Sequence, residues 1–416
     1  MPENLKARLI SLLRWSEKYT KTDMVYLAQS NFWLQATSVF VSLGSLLLYI
    51  IFGHVLPKDV YGTYQYLLSV GALVSAFTLT GMSTAVTRAV ARGFEGAFLE
   101  SISVQLRWGL IPLTGSVIVG AYYLVHGNVT LGWGMILIGV FIPLNTTFNT
   151  YASFLAAKKD FRRSFYYSIL VNAPYYIAVA LVAFSVQAAL ALLAANLIVQ
   201  CIGYITAHFR TLVVYKPGTE IESDTMALGK HYSAINFLTA AAAQIDNLLV
   251  FHFLGAAPLA IYSFATAIPD RLNIFKNLTV AALPRFTQRD YADIRSTMSN
   301  KIILSVGFSL LVIALWFVSA NFLFSALFPK YISAVPYSQV YVLTVMGAFG
   351  SFFTTYFVAH NHLRTLYAYN LIAPVIQVGF LLVGIVFGGL WGLVLARVAS
   401  GFFNSLLAGA FFYLLR

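Results

Sequence analysis

Residues 56–64 read Leu56-Pro57-Lys58-Asp59-Val60-Tyr61-Gly62-Thr63-Tyr64, a short turn between two long apolar runs. Residues 254–262 read Leu254-Gly255-Ala256-Ala257-Pro258-Leu259-Ala260-Ile261-Tyr262, again between two apolar runs. The leucines and the closing tyrosines share an offset of 198 residues. At the end of the run that follows each turn, Arg88 and Arg92 correspond to Arg285 and Arg289 at an offset of 197. A fixed offset of this length is the mark of an internal repeat. Six apolar runs lie between corresponding points, so both halves run in the same direction. That is a parallel repeat about an axis along the membrane normal.

Working outward from these turns, the remaining apolar runs predict spans at roughly 31–56, 62–86, 107–126, 131–154, 166–184, 187–211, 233–255, 259–283, 303–327, 337–360, 367–388 and 390–413. The runs are continuous rather than alternating, which predicts helices and not a barrel. Gly127-Asn128, Gly255 and Gly388-Gly389 mark tight turns. Composition agrees with this density of spans. Of 416 residues, 59% are apolar and 10% charged, against about 45–50% and about 25% in soluble domains. A spanning helix uses about 20 residues, so the apolar content suffices for about twelve. A soluble enzyme, a secreted disulfide protein, a disordered chain and a single-span receptor are all excluded.

The expected fold is an all-α polytopic membrane protein. About twelve transmembrane helices form two parallel-repeat six-helix lobes around a central cavity, a transporter architecture. The N-lobe is expected over 31–213, a cytoplasmic linker over 214–232 and the C-lobe over 233–416. Residues 1–30 are basic, without the continuous apolar core of a cleavable signal. Leu5, Leu9, Leu12 and Leu13 recur there at helical spacing, with Lys6, Arg14, Lys18 and Lys21 elsewhere on the wheel. That pattern predicts an interfacial helix.

The net charge of +12 is explained by where the basic residues fall. With the N-terminus inside, 21 of the 26 lysines and arginines lie in inner connections, among them Arg88, Lys158, Arg163, Arg210 and Arg285. Only Lys58 and Lys330 fall in outer connections, and Arg271, Lys276 and Arg397 fall within spans. This asymmetry follows the positive-inside rule and requires no nucleic acid. Both termini are expected in the cytoplasm. The lone Cys201 lies in an apolar run and reads as a packing residue.

Ionisable residues within spans are costly and mark candidate functional sites. Asp246 falls in span seven, and Asp270, Arg271 and Lys276 in span eight. Counted from the turn at Ala256, Asp246 and Asp270 differ in depth by roughly 6 Å, which permits a pair between Asp246 and Arg271 across the hairpin, with neutralisation of Arg271 by Asp246 or Asp270 as the structural alternative to a substrate role. Arg271 and Lys276 are about 140° apart on an ideal helix, so only a wide cavity could receive both. Pro269 predicts a local kink. Asp246 is a candidate for binding a coupling ion, a proton or a sodium ion, with a fixed salt bridge as the structural alternative. Arg397, in span twelve, either lines the cavity or reaches the outer interface. Tyr166, Tyr167, Tyr175 and Tyr176 either stack on sugar rings or pack.

The second half carries Gln244-Ile245-Asp246-Asn247-Leu248-Leu249, then Phe253-Leu254-Gly255, then Ala260-Ile261-Tyr262-Ser263, then Leu283-Pro284-Arg285-Phe286. This order resembles the oligosaccharide flippases, the Wzx-type polysaccharide exporters of the multidrug/oligosaccharidyl-lipid/polysaccharide (MOP) superfamily. The resemblance covers essentially the whole chain in length and span count. It implies a V-shaped pair of lobes in a bacterial inner membrane. It also implies alternating access that moves an undecaprenyl-pyrophosphate-linked sugar unit between leaflets. On that reading Arg271 and Lys276 attract the pyrophosphate, and Arg88 and Arg285 collect the headgroup. Arg397 joins the substrate-binding set, and Asp246 and Asp270 couple an ion. No enzymatic activity, metal or organic cofactor is expected. A polysaccharide polymerase and glycosyltransferases are the expected partners. The competing readings are a multidrug antiporter of the same superfamily, a membrane glycosyltransferase or polymerase, and a structural membrane protein. A cationic-drug exporter needs an acidic cavity, whereas here basic residues within spans equal or outnumber acidic ones.

Overall fold

The computed structural model describes residues 24–272, 291–360 and 362–414. Among them there is no β-strand. The expected interfacial helix of residues 4–21, and Lys276 and Arg285, lie outside the described residues. The first half comprises α1 (Met24–Val55), α2 (Lys58–Ser75), α3 (Met82–Ala91), α4 (Gly96–Val125), α5 (Val129–Phe148), α6 (Thr150–Ala157), α7 (Phe161–Ser185) and α8 (Ala189–Tyr215). The second comprises α9 (Thr225–Ala242), α10 (Ile245–Leu254), α11 (Ala256–Ala267), α12 (Pro269–Leu272), α13 (Tyr291–Leu327), α14 (Val335–Tyr341), α15 (Gly350–Ala359) and α16 (Leu363–Leu414). Short 3₁₀ segments, Pro329–Ala334 and Val342–Phe349, flank α14.

Nine stretches of the described residues are long and apolar enough to cross a membrane. The last of them holds two crossings. At 1.5 Å per residue its 51 residues would run to more than twice a hydrocarbon core of about 30 Å. Gly389 breaks the run at φ 55 and ψ −136. The backbones of Gly384 and Gly392 then touch, although eight residues of straight helix would hold them about 12 Å apart. The chain therefore reverses at Gly389, and only residues without a Cβ permit so close a return. The pair α2–α3 adds a broken crossing, and α11–α12 is a further interrupted helix that is described as far as Leu272.

The predicted turns form for the reasons the residues suggest. Gly127 stands at φ 80, and the Asn128 side chain then caps α5 by accepting from the Leu131 amide at 3.0 Å. Asp160 caps α7 through the Arg163 amide at 2.9 Å. Gly255, at φ 94, closes α10 and opens α11. Three predicted spans are interrupted where no break was expected; the fourth span is broken at Asn149. The second stops after Ser75 and restarts at Met82, with Leu79 at φ 59 between. The seventh stops at Ala242 and restarts at Ile245, immediately before Asp246.

The lobes meet along a seam of α2–α3 against α9–α11. Near Lys58 and Lys330 it is closed by backbone and aromatic contact. Gly62 lies against the Ala256 carbonyl so closely that a Cβ would collide. Phe264 stacks on Tyr331 at 3.8 Å and lies 4.9 Å from Tyr61. All three rings are fully buried. Aromatic pairs of this kind contribute about 0.5–1.5 kcal/mol each beyond their burial. Lys330 Nζ donates to the Val55 carbonyl across the same closure at 3.0 Å. Toward the opposite end the Gly81 amide donates to Ser233 Oγ at 2.9 Å.

That opposite end carries Arg92, Lys158 and Arg163. Residues 216–224 are laid over it. Arg92 pairs with Glu222 at 2.7 Å, the Gly96 amide donates to the Glu220 carbonyl at 2.9 Å, and Lys158 and the Gly218 amide both donate to Glu95. The hydrogen bond from the Lys158 ammonium, helped by the Gly218 amide, holds the Glu95 carboxyl below the usual carboxylate range.

Candidate substrate and coupling site

The break at Ala243–Gln244 sets Asp246 in the first turn of α10, inside the C-lobe, where it is 6% exposed. Its Oδ2 lies 3.3 Å from Arg397 Nε and accepts a hydrogen bond from the Tyr262 hydroxyl at 2.8 Å. Its Oδ1 is buried with no hydrogen-bond partner among the described residues. Tyr262 meets Tyr341 edge to face, with centroids 6.2 Å apart, and the Tyr341 hydroxyl donates to Asp270 Oδ1 at 2.9 Å. Two carboxylates, two tyrosines and one arginine thus form one connected group on α10, α11, α12, α14 and α16. Beside it lies a cavity of about 380 Å³ lined by Asp270, Tyr341, Asn370, Gln377, Arg397 and Asn404, among others.

The Asp246–Arg271 pair that the spacing permits does not form. Asp246 pairs with Arg397 instead. Arg271 reaches the other lobe, where its Nη2 donates to Ser45 Oγ of α1 at 3.2 Å. Arg271 is exposed and makes no ion pair among the described residues. Of the two alternatives for Arg397, the structure fits the first, since Arg397 lines the cavity. Its guanidinium is held in the C-lobe by Asp246, and its side chain is 27% exposed.

Arg88 is exposed in the last turn of α3. Of the span-five tyrosines, Tyr167 is buried in an N-lobe cluster, the Tyr176 hydroxyl donates to the Val41 carbonyl at 3.1 Å, and Tyr166 is exposed. Tyr341 and Ser45 were missed in the sequence because an uncharged residue in a span carries no signal of its own. Tyr262 was visible as the end of the repeated turn, but not as the partner of Asp246.

Residues 52–298 match the profile of a family described as polysaccharide biosynthesis protein. No curated protein matches the chain. Among solved structures, the chain is similar to an inward-facing conformation of a multidrug resistance MATE family transporter of the MOP superfamily. That match has a TM-score of 0.67 at 14% identity, over 89% of this chain and 93% of that one. An outward-facing conformation of a transporter of that description matches with a TM-score of 0.56 at 15% identity, over 93% and 94%. A MOP superfamily transporter from Pyrococcus furiosus, described as having a binding pocket of reverse polarity, matches at 0.50 and 14%, over 94% and 92%. These likenesses establish the two-lobe helical fold.

Proposed function

Because this chain belongs to the polysaccharide biosynthesis protein family, we propose that it flips an undecaprenyl-pyrophosphate-linked oligosaccharide from the inner to the outer leaflet by alternating access, for surface polysaccharide export. The observation that carries this reading is Arg271, an exposed guanidinium within a span that reaches between the lobes to Ser45. An intramembrane cation without an ion-pair partner among the described residues suits an anionic substrate. The planar fork of arginine matches phosphate oxygens. Lys276 adds a second, mobile charge on the same span, and Arg88 and Arg285 collect the headgroup at the basic end. That end faces the cytoplasm, with both termini, in a bacterial inner membrane. The N-lobe is assigned to 31–213, the linker to 214–232 and the C-lobe to 233–416.

Asp246 and Asp270 are the coupling carboxylates, with a proton or a sodium ion as the coupling ion. A cation reaching Asp246 competes with Arg397 for Oδ2, and release of Arg397 presents it to the cavity that it lines. A polymerase and glycosyltransferases would receive and supply the sugar unit. Replacement of Arg271 or Lys276 by alanine is expected to lower surface polysaccharide at unchanged protein level in the membrane. Normal export in both variants would sink the pyrophosphate role. In vesicles, Asp246→Asn is expected to lose dependence on an imposed proton or sodium gradient. Wild-type transport indifferent to both gradients would end the coupling assignment.

A further inference from the structure

The N-lobe holds a cavity of different chemistry. About 540 Å³ in volume, it lies within the roughly 300–1,000 Å³ usual for small-molecule sites. Five carboxamides line it: Gln105, Asn145, Asn149, Asn196 and Gln200. Hydroxyls from α2, α3, α5 and α6 and the ring of Tyr204 complete the wall. None of the residues that line it is Asp, Glu, Lys, Arg or His.

The carboxamides are only partly used by the protein. Asn145 is 7% exposed, yet its Oδ1 has no hydrogen-bond partner among the described residues, and its Nδ2 reaches the Leu197 carbonyl at a long 3.4 Å. Asn196 Nδ2 donates to the Tyr64 hydroxyl at 2.8 Å, and Gln105 Nε2 donates to Thr150 Oγ1 at 3.1 Å. Both leave carbonyl oxygens for another donor. A buried, unsatisfied polar group such as Asn145 Oδ1 costs about 1–3 kcal/mol, and nothing in packing requires five carboxamides around one space. Side-chain amides both donate and accept, which matches a ligand whose groups do the same without net charge. Hydroxyls and acetamido groups on a sugar ring are such groups, and Tyr204 offers an aromatic face to the apolar face of the ring.

We propose that this N-lobe cavity is a binding subsite for neutral sugar residues. Resting on the flippase reading, it divides the substrate between the lobes, with the saccharide in the N-lobe and the pyrophosphate at the basic residues of span eight. The test uses the full-length protein in nanodiscs. Binding of two soluble neutral disaccharides, lactose and chitobiose, is followed by saturation-transfer NMR on their C–H protons, and binding of inorganic pyrophosphate, the charged comparison, is followed by phosphorus NMR line broadening. The expected result is saturable binding of at least one disaccharide, weakened tenfold or more in Gln200→Leu and in Asn149→Leu, with pyrophosphate binding unchanged in both. Asn149 lies at the exposed rim, so its variant decides the matter even where Gln200→Leu fails to fold. Absence of binding for both disaccharides, or binding unchanged in a folded variant, overturns the subsite. The flippase reading fails separately, when the wild-type protein binds the disaccharide as expected but moves no lipid-linked saccharide across a vesicle membrane.

Discussion

At the scale of single residues, the decisive pair is Asp246 and Arg397. A buried carboxylate held by one guanidinium and one tyrosine is stable only while both partners remain. Arg397→Ala leaves the charge of Asp246 uncompensated, a change that costs about 3–5 kcal/mol in buried pairs. Thermal unfolding of the purified protein should show this loss, and the double variant Arg397→Ala with Asp246→Asn should recover much of it. Equal losses in the single and double variants would mean that the pair does not carry the stability. The sequence showed that these two residues were unusual, because charges in apolar runs stand out. It did not show that they were partners, because proximity in a bundle depends on which helices pack together. The spacing allowed Asp246 to meet Arg271, its neighbour across a hairpin, but Arg271 reaches Ser45 of the other lobe instead.

At the scale of elements, two contacts make predictions of opposite kind. Gly62 sits against the Ala256 carbonyl where the lobes close. Gly62→Ala cannot be accommodated by a side-chain rotation, since the obstacle is backbone. The variant should separate the lobes near Lys58 and Lys330 and lower transport at least tenfold while each lobe stays folded. Distances between spin labels at positions 58 and 330, in a Cys201→Ala background, would lengthen. Unchanged distances with full transport would show that this contact is not a closure. The second contact is Glu95 with Lys158 and Gly218, outside the spans. Its depressed pKa means that the carboxylate stabilises the docked linker above the ordinary carboxylate pKa of about 4.3, and that this stabilisation is lost as pH falls through the lower folded value. Near neutral pH, Glu95→Gln should therefore loosen residues 216–224 to hydrogen exchange relative to wild type, by the energy of a partly exposed ion pair, about 0.2–1 kcal/mol. The two proteins should converge in strong acid. A difference that persists there would assign the effect to something other than ionisation.

At the scale of the molecule, most of the fold was legible and the reason is physical. A bilayer admits only helices that satisfy their own backbone, so apolar length becomes crossing number. Gly389 illustrates the point: an apolar run more than fifty residues long could only be two crossings, and the glycine pair marked where. The interruptions at residues 76–81 and 243–244 were not legible, because the lone Gly81 in the first marks no break by itself, the second has neither proline nor glycine, and both depend on neighbouring helices. The cavities were the least legible feature. The N-lobe cavity is made of neutral residues that raise no alarm singly, and only the packing of α2–α6 with α8 collects them. The C-lobe cavity, with Asp270 and Arg397 in its wall, gives the two lobes different chemistry despite their common repeat.

The central claim, an anionic lipid-linked saccharide as cargo, is tested most directly in vesicles containing only the purified protein. A fluorescent undecaprenyl-pyrophosphate-linked oligosaccharide is placed in one leaflet and its arrival in the other is read by quenching, with a cationic dye as competitor. The account predicts transfer by the wild-type protein, at least tenfold slower transfer by Arg271→Ala, and no competition from the dye. Transport of the dye, with the lipid-linked saccharide left where it was placed, would contradict it.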